Sequence, residues 1–310
     1  MAKKVVKILS IDGGGIRGII PATILVELER LTNKRIAESF DIIAGTSTGG
    51  ILGSVLCSNR KYTAKDALDM YVKQGSDIFS RNLCEKIFSF TTLSEAKYSY
   101  SGLDSVLKTK FGKETIDQVQ TKLLVTSFDI ANMEPYFFKS WKQDCVGLPL
   151  KMICRATSAA PTYFEPLHSF IQGKERTLID GGIFINNPAM SAYTEALRIY
   201  DKEDVEFLVV SIGTGQLSKT IEYSKAKNWG KLEWIVPLLD CMFDGVSDAV
   251  DYQMKMILGS NYIRMQITDL TDDMQEMDNV SEENIKALKD VAKKYVNSNK
   301  DWLQEIAFKL

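Results

Sequence analysis

Two glycine-rich turns, each placed between an apolar run and a helical pattern, constrain the fold of this chain more than any other feature. The first turn, 13–18 (GGGIRG), follows the apolar run 5–11, and the second, 45–50 (GTSTGG), follows the apolar run 40–44. A strand, a tight turn and a helix, repeated early in the chain, are typical of a parallel sheet with crossover helices. We therefore predict an α/β fold, a three-layer sandwich with helices on both faces of a central, mostly parallel sheet.

Later apolar runs continue this pattern. They are predicted strands at 123–130, 177–179 and 207–212. Because neither an internal repeat nor a low-complexity linker interrupts the chain, we expect a single domain over residues 1–310. Its core is expected at about 5–215, followed by a helical cap and tail at about 216–310.

The composition excludes several classes of protein. Apolar residues make up 45% of the 310 residues and charged residues 25%, as in ordinary globular proteins. The formal net charge of −2 does not favour nucleic-acid binding. No apolar run is long enough for a membrane-spanning helix or a signal peptide, so the chain is expected in the cytoplasm, with peripheral membrane contact left open. The cysteines are widely spaced and are expected to be reduced, mostly buried thiols; they are Cys57, Cys84, Cys145, Cys154 and Cys241.

The single histidine, His168, limits the possible chemistry. A zinc site built mainly on histidine is excluded, and a Ser-His-Asp triad could use only this residue. In the usual α/β-hydrolase order the histidine follows the acid, and no histidine follows residue 168. We expect His168 to lie in a loop or on the surface.

The second turn contains a GxSxG motif centred on Ser47. A serine between an apolar strand and an apolar helix indicates a nucleophile elbow. Gly45 and Gly49 allow the sharp turn and keep space around the hydroxyl, and the following helix directs its N-terminal N–H groups toward the site. Ser47 is the candidate nucleophile.

The first turn permits two interpretations. It fits GxGxxG, but a dinucleotide fingerprint also needs an acidic residue at the end of the next strand, where this chain has Ser47. The alternative is an oxyanion hole, in which Gly13, Gly14 and Gly15 present N–H groups to a developing negative charge. Arg17 would then order the loop or hold a phosphate. We favour the oxyanion hole.

Asp180 is the candidate base. It ends a predicted strand and precedes Gly181 and Gly182, so it can reach Ser47 at the carboxyl edge of the sheet. An aspartate is a weak base, with a pKa of about 3.9. Desolvation could raise that pKa and closeness to the hydroxyl could offset the weak basicity, giving a Ser47–Asp180 dyad.

Together these motifs resemble the patatin-like phospholipase family. The matching segments are SIDGGGIRG (10–18), GTSTGG (45–50), IDGG (179–182), ATSAAPTYF (156–164), NNPA (186–189) and SIGTG (211–215). The resemblance implies a patatin-type catalytic domain that hydrolyses lipid acyl esters, as a phospholipase A or lysophospholipase does, with a Ser–Asp dyad and no metal or other cofactor. It maps the nucleophile to Ser47, the base to Asp180, the oxyanion loop to 13–15 and the basic loop position to Arg17. The implied substrate is a membrane phospholipid or galactolipid, and the oligomeric state stays open.

The last third of the chain has a different character. One set of apolar residues could form an amphipathic cap that touches lipid: Trp229, Trp234, Leu238, Leu239, Met242 and Phe243. Neighbouring lysines could meet anionic head groups: Lys219, Lys225, Lys227 and Lys231. The alternative is a core-packing helix with solvated lysines. The acidic run 269–283 is expected to be a solvated loop, because it lacks calcium-loop spacing, and Ser281 is expected to cap the final helix.

Two other functions remain open at this stage. One is a lipase gated by a small ligand, like the cyclic-nucleotide-activated patatin-like effectors of bacterial defence systems. The other is a non-catalytic protein that binds a lipid or a nucleotide through GGGIRG, against which the intact Ser47 and Asp180 argue.

Overall fold

The computed structural model describes residues 3–79, 98–201, 203–216 and 220–310. Its centre is an eight-stranded sheet. The strands are β1 (Lys4–Ile11), β2 (Ile42–Thr46), β3 (Lys122–Asp129), β4 (Glu134–Lys139), β5 (Leu167–Ile171), β6 (Lys174–Asp180), β7 (Val205–Ile212) and β8 (Tyr262–Met265). Their order is β5-β6-β3-β2-β1-β7-β8, with β4 also paired to β3. The five strands from β3 to β8 along this order are parallel, whereas β4 and β6 run antiparallel to β3.

Helices follow the strands in the predicted alternation. The described helices are α1 (Ile19–Thr32), α2 (Ile36–Ser39), α3 (Thr48–Cys57), α4 (Ala64–Ile78), α5 (Ser101–Phe111), α6 (Leu150–Thr157), α7 (Ala189–Ile199), α8 (Tyr223–Ala226), α9 (Lys231–Leu258), α10 (Asp272–Gln275), α11 (Glu282–Ser298) and α12 (Lys300–Lys309). A 3₁₀ turn, Gly15–Gly18, leads from the glycine loop into α1.

Both faces of the sheet are covered. In β1, Leu9 and Ile11 point into a large core shared with α1, α3, α4 and α11. Ile8 points the other way, into a smaller core that Met254 of α9 and the alanines of α7 complete. This alternation along a strand buried on both sides is typical of parallel sheets between helices. The predicted α/β class, with a mostly parallel sheet between two helical layers, is confirmed.

The C-terminal region is part of the same packing. β8 pairs in parallel with β7 at the edge of the sheet, and Leu288 and Ala292 of α11 are fully buried in the large core. Ser281 caps α11 as predicted, accepting a hydrogen bond from the Asn284 N–H at 3.2 Å. The predicted helical tail thus contains a strand of the sheet, and the single-domain organisation stays a prediction that this packing supports.

Two further observations concern the expected cellular context. In the described ranges, no helix combines the length and the apolarity that crossing a bilayer requires. Cys57, Cys145 and Cys154 are buried free thiols and Cys241 is an exposed one, as predicted; Cys84 lies outside the described residues.

Candidate active site

The strand register explains why two residues distant in the chain meet in one site. β2 ends at Thr46, which pairs with Thr126 of β3. One residue further along β3, Ser127 pairs with Asp180, the last residue of β6. Because β4 occupies the other edge of β3 here, β2 and β6 lie end to end along one edge. Ser47, which follows Thr46, is therefore brought beside Asp180.

Ser47 has a backbone conformation that non-glycine residues rarely adopt. Its φ is 54° and its ψ is −122°, a strain of order 1–3 kcal/mol. The turn is also tight: a Cβ on Gly45 would lie 2.1 Å from the Gly49 carbonyl oxygen, and one on Gly49 would lie 2.1 Å from that of Ile11. The Ser47 N–H donates to Thr157 Oγ1 at 2.8 Å. The chain thus makes the sharp strand-to-helix turn that this motif predicts.

The Asp180 carboxyl is almost fully buried, with 2% of the residue exposed. Its Oδ1 accepts the Gly182 N–H at 2.8 Å, and Ser47 lines the same pocket. Burial raises the pKa of Asp180 to about 7, against the opposing effect of the nearby Ser47 side chain and the Gly182 N–H. Among the described residues, no lysine or arginine is paired with it. A carboxyl with a pKa near neutrality is suited to accept and return a proton at neutral pH.

The two glycines after Asp180 are required by close contacts. A Cβ on Gly181 would lie 2.2 Å from Thr126 Oγ1, and a Cβ on Gly182 would lie 2.6 Å from the Phe243 ring. These contacts hold the turn after β6 against β3 on one side and α9 on the other. The Asp180 carboxyl is consequently fixed in place and shielded from water.

The glycine loop lies against the same serine. A Cβ on Gly13 would lie 3.2 Å from the Cβ of Ser47. The Gly13 N–H donates to the Asn186 carbonyl oxygen at 3.2 Å, whereas those of Gly14 and Gly15 have no acceptor in the part of the chain that is described. Gly14 and Gly15 also line the pocket that contains Ser47. Of the three predicted oxyanion donors, these two are available to a substrate, and Gly13 is engaged within the protein.

Arg17 is buried behind this loop. Its Nε donates to the Gly14 carbonyl oxygen at 3.3 Å and its backbone N–H donates to the same oxygen at 3.2 Å. A second guanidinium nitrogen donates to the Gly215 carbonyl oxygen at 3.3 Å. Because the C=O and N–H of a trans peptide point in opposite directions, fixing the Gly14 carbonyl also directs the Gly15 N–H. These contacts support the ordering of the loop by Arg17 rather than a phosphate site.

The pocket above Ser47 is narrow and mostly apolar, with about 610 Å³ of empty space that is partly open to solvent. Its apolar lining comes from Ile51, Tyr71, Ile78, Phe79, Leu103, Phe164, Phe243 and Met277. Ser47 and Asp180 lie in this lining beside the glycine loop. Such a pocket suits an acyl chain whose ester carbonyl lies at the serine.

A second buried carboxylate, Asp12, precedes the glycine loop at the end of β1. Arg264 of β8 binds both of its oxygens, at 3.0 and 2.6 Å, and also donates to Ser211 Oγ at 2.8 Å. Burial raises the pKa of Asp12, and the bidentate contact with Arg264 opposes that rise. The geometry is that of a buried ion pair, and it ties the base of the loop to the far edge of the sheet.

His168 lies away from the pocket, as expected. It is an exposed residue of β5, and its Nε2 lies 2.9 Å from Oε1 of Glu175 on β6. It is not among the residues that line the site.

The predicted cap divides into two parts. Trp234 and Leu238 are 38% and 50% exposed, and Trp229 packs edge-on against Trp234. Phe243, in contrast, is buried and lines the pocket, so the core-packing alternative holds for this residue and the lipid-facing one does not. The apolar residues of this 28-residue helix therefore do not all lie on one face. Lys219 lies outside the described residues.

The acidic run 269–283 is more than a solvated loop. It contains α10, Leu270 and Gln275 are buried, and Met277 lines the pocket. The charge pattern predicted which residues of this run are exposed, but it gave no sign of the residues that pack against the core or line the pocket. Met277 and Phe243 are among the pocket residues that the motifs missed, because nothing local marks a side chain whose partner is distant in the chain.

Known plant proteins are similar to most of this chain. The family model described as "Patatin-like phospholipase" matches residues 9–193. The chain is 35% identical to "Patatin-like protein 2" of Oryza sativa subsp. indica, covering 96% of this chain and 85% of that protein. It is 33% identical to "Patatin-2-Kuras 1" of Solanum tuberosum, covering 92% of this chain and 84% of that protein.

A solved structure with a similar course of the chain is "Human GIVD cytosolic phospholipase A2". It is 9% identical, covers 97% of this chain and 60% of that one, and has a TM-score of 0.48. The family model spans the glycine loop, the Ser47 turn and Asp180, and together with the plant relatives it shows that the chain belongs to the patatin-like phospholipase family.

Proposed function

We propose that this protein is a lipid acyl hydrolase of the phospholipase A or lysophospholipase type, and that it works through an acyl-serine at Ser47. Family membership supports hydrolysis of lipid acyl esters. The observation that carries the mechanism is a strained serine beside a buried carboxyl whose pKa is about 7. Both groups lie in an apolar pocket with free N–H donors.

In the acylation step, Asp180 accepts the proton of the Ser47 hydroxyl while the Ser47 oxygen attacks the ester carbonyl carbon. The carbonyl oxygen becomes negative in the tetrahedral intermediate and is held by the N–H groups of Gly14 and Gly15. The intermediate collapses, the bond to the alcohol oxygen breaks, and Asp180 returns its proton to that leaving oxygen.

In the deacylation step, a water molecule takes the place of the alcohol. Asp180 accepts a proton from this water, whose oxygen attacks the acyl carbon of the Ser47 ester. The second tetrahedral intermediate releases the fatty acid, and Ser47 regains its proton from Asp180. Because the same carboxyl acts as base and acid in turn, a pKa near the working pH serves both roles.

The substrate that best fits this site is a membrane phospholipid or galactolipid. The apolar lining suits a fatty acyl chain. The exposed apolar residues Leu232, Ile235 and Leu238 on the first turns of α9 would meet the lipid surface. Exposed lysines near them, Lys225 and Lys227, would approach anionic head groups. In this proposal the protein contacts the membrane only peripherally, at its surface.

Flotation with lipid vesicles tests the peripheral contact. Replacing both Trp234 and Leu238 with Ser should weaken binding to vesicles that contain anionic lipid. The matched control replaces Tyr252 and Met256, which are exposed on the other end of the same helix. Equal binding of the wild type and the first variant, with both folded, would contradict the contact.

Product analysis tests the proposed function. The purified protein is incubated with vesicles of mixed phospholipids and galactolipids, and released fatty acids and lysolipids are identified by mass spectrometry. The wild type should release them and Ser47→Ala should not. Ser158→Ala is the matched control, because Ser158 lines the same pocket but donates its hydroxyl to the Cys154 carbonyl at 2.7 Å.

Three outcomes separate the alternatives. Release by Ser47→Ala at the wild-type rate would contradict the nucleophile. Release by the wild type only after a cyclic nucleotide is added would support the gated lipase. No release under either condition, together with retained vesicle binding, would favour a non-catalytic lipid-binding protein.

A further inference from the structure

The segment 270–280, which we call the strap, lies directly on the glycine loop. The Ile16 N–H donates to the Met277 carbonyl oxygen at 2.8 Å. A Cβ on Gly15 would lie 2.1 Å from that same oxygen and 2.9 Å from the Cβ of Met277. The backbone of the strap is thus in van der Waals contact with a loop residue whose N–H faces the pocket.

The strap is fixed at both ends by packing and hydrogen bonds. At its start, Leu270 is buried, and a Cβ on Gly215 would lie 2.3 Å from its side chain. Gln275, also buried, donates to the Leu270 carbonyl oxygen at 3.1 Å. At its end, Asn284 Nδ2 donates to the Asn279 carbonyl oxygen at 2.7 Å. The position of Met277 is therefore set by the C-terminal region, outside the residues that match the family model.

The strap also contacts the opposite wall of the pocket. The Tyr98 hydroxyl donates to Asp278 Oδ2 at 2.6 Å. The Tyr98 ring lies 5.8 Å from the rings of Phe79 and Phe164, both of which line the pocket. Met277 itself lines the pocket. A single segment thus links the glycine loop to the aromatic wall.

We propose that the strap positions the Gly14–Gly15 N–H groups for the oxyanion, and that the Met277 side chain limits the shape of acyl group accepted next to the reacting carbonyl. The proposal rests on the proposed function and deepens it. Asp278 and Tyr98 act as positioning residues, and Met277 is a specificity-determining residue.

The strap would act by preorganising the N–H donors of the glycine loop. Donors stabilise a developing oxyanion only if they are already aimed at its position, since any reorganisation subtracts from the gain. A loop of successive glycines has the greatest backbone freedom of any sequence. Arg17 fixes the Gly14 carbonyl from one side, and the Met277 carbonyl fixes the Ile16 N–H after Gly15. The free N–H of Gly15 is held between these two anchors.

Acyl selectivity tests the role of the Met277 side chain. With p-nitrophenyl esters, Met277→Ala should raise the kcat/KM ratio of an α-branched over a straight-chain acyl group by about tenfold, the scale of one or two methylene groups in a pocket. Met277→Leu should restore a ratio near that of the wild type. Met274→Ala is the matched control, because Met274 lies on the same strap but packs against the core. An unchanged ratio in Met277→Ala, or an equal change in Met274→Ala, would overturn the proposal for Met277.

Backbone exchange and kinetics test the positioning role. Tyr98→Phe and Asp278→Asn should each speed amide hydrogen exchange in residues 13–18 and lower kcat several-fold, with KM little changed. Tyr100→Phe is the matched control, because the Tyr100 hydroxyl donates to the Glu165 carbonyl oxygen at 2.7 Å. Unchanged exchange and kcat in both variants would overturn the positioning role.

The two proposals fail in different ways. If the wild type does not hydrolyse any ester, the proposed function fails, and hydrogen exchange in residues 13–18 still decides whether the strap orders the loop. If the wild type hydrolyses esters and the strap variants behave as their controls do, only the inference about the strap fails.

Discussion

Asp12 directly follows β1 and Asp180 is the last residue of β6 in the same sheet, and both are 2% exposed, yet their surroundings differ. Asp12 faces Arg264, which binds both of its oxygens. Asp180 faces a hydroxyl and one backbone N–H, and no cation of the described chain pairs with it. The first arrangement compensates a buried charge and makes a structural tie. The second leaves the charge uncompensated, which suits the base that we propose, so the same residue type would serve two purposes according to its neighbours.

Removing the reactive carboxylate should have the largest effect. Asp180→Asn keeps the size of the side chain but cannot accept the Ser47 proton, so kcat/KM for a long-chain ester should fall by roughly 10³-fold or more. Steady-state hydrolysis of such an ester measures this, with circular dichroism to verify folding. Near-normal turnover by a folded Asp180→Asn protein would show that Asp180 is not the base.

Breaking the structural pair should mainly reduce stability. Arg264→Gln leaves Asp12 buried without its cation and should lower the free energy of unfolding by about 3–5 kcal/mol. Urea unfolding measures the loss. The control is the pair of the exposed Arg30 and the partly buried Glu27, and Arg30→Gln should lower the free energy of unfolding far less than Arg264→Gln does. Equal losses in the free energy of unfolding for the two variants would mean that Asp12 and Arg264 do not form a stabilising buried ion pair.

The double variant Asp12→Asn/Arg264→Gln sharpens this result. With neither charge left in the site, it should be more stable than Arg264→Gln alone. An additive loss would contradict the view that an unpaired Asp12 is the source of the cost.

Asp180→Asn should make the protein more stable at alkaline pH. The pKa of Asp180 in the folded state, about 7, is above its ordinary value of 3.8. The unfolded chain therefore loses this proton first, and wild-type stability falls as the pH rises between these values. Asn cannot ionise, so the variant should gain roughly 2–4 kcal/mol over the wild type at pH 8, and the gain should shrink toward pH 4. A gain that does not depend on pH would contradict burial as the cause of the raised pKa.

The pH dependence of turnover gives the smallest of these effects. Because Asp180 must be unprotonated to act as a base, kcat/KM should rise with pH through about 7 and then level off. At one pH unit below that midpoint, the rate should be about tenfold lower than the plateau. A rate that is flat between pH 5 and 8, with the protein folded throughout, would exclude a base with this pKa.

Local patterns predicted the proposed reacting groups because the chemistry of those groups needs particular local backbones. The turn around Ser47 requires glycine on both sides, and Asp180 ends a strand before two glycines, so each leaves a mark in the sequence. The sequence assigned Asp180 to the edge where Ser47 lies, but the strand pattern did not predict that β6 runs antiparallel to β3 and meets β2 end to end.

The residues that close the site from the C-terminal third could not be predicted from local patterns. Met277, Phe243 and Arg264 reach it from the C-terminal third, and each contact depends on tertiary packing. β8, of four residues, is too short to show an apolar period. The Gly13 N–H was expected to face the substrate, but its bond to Asn186 depends on a residue far along the chain.

The account depends most on Ser47 forming a covalent bond with the help of Asp180. Incubation with a fluorophosphonate, followed by peptide mass spectrometry, measures this directly by locating the adduct and timing its formation. We predict that the wild type is modified at Ser47, and that Asp180→Asn is modified there at least about 100-fold more slowly. An adduct on another residue, or equal rates at Ser47 in the two proteins, would contradict the account.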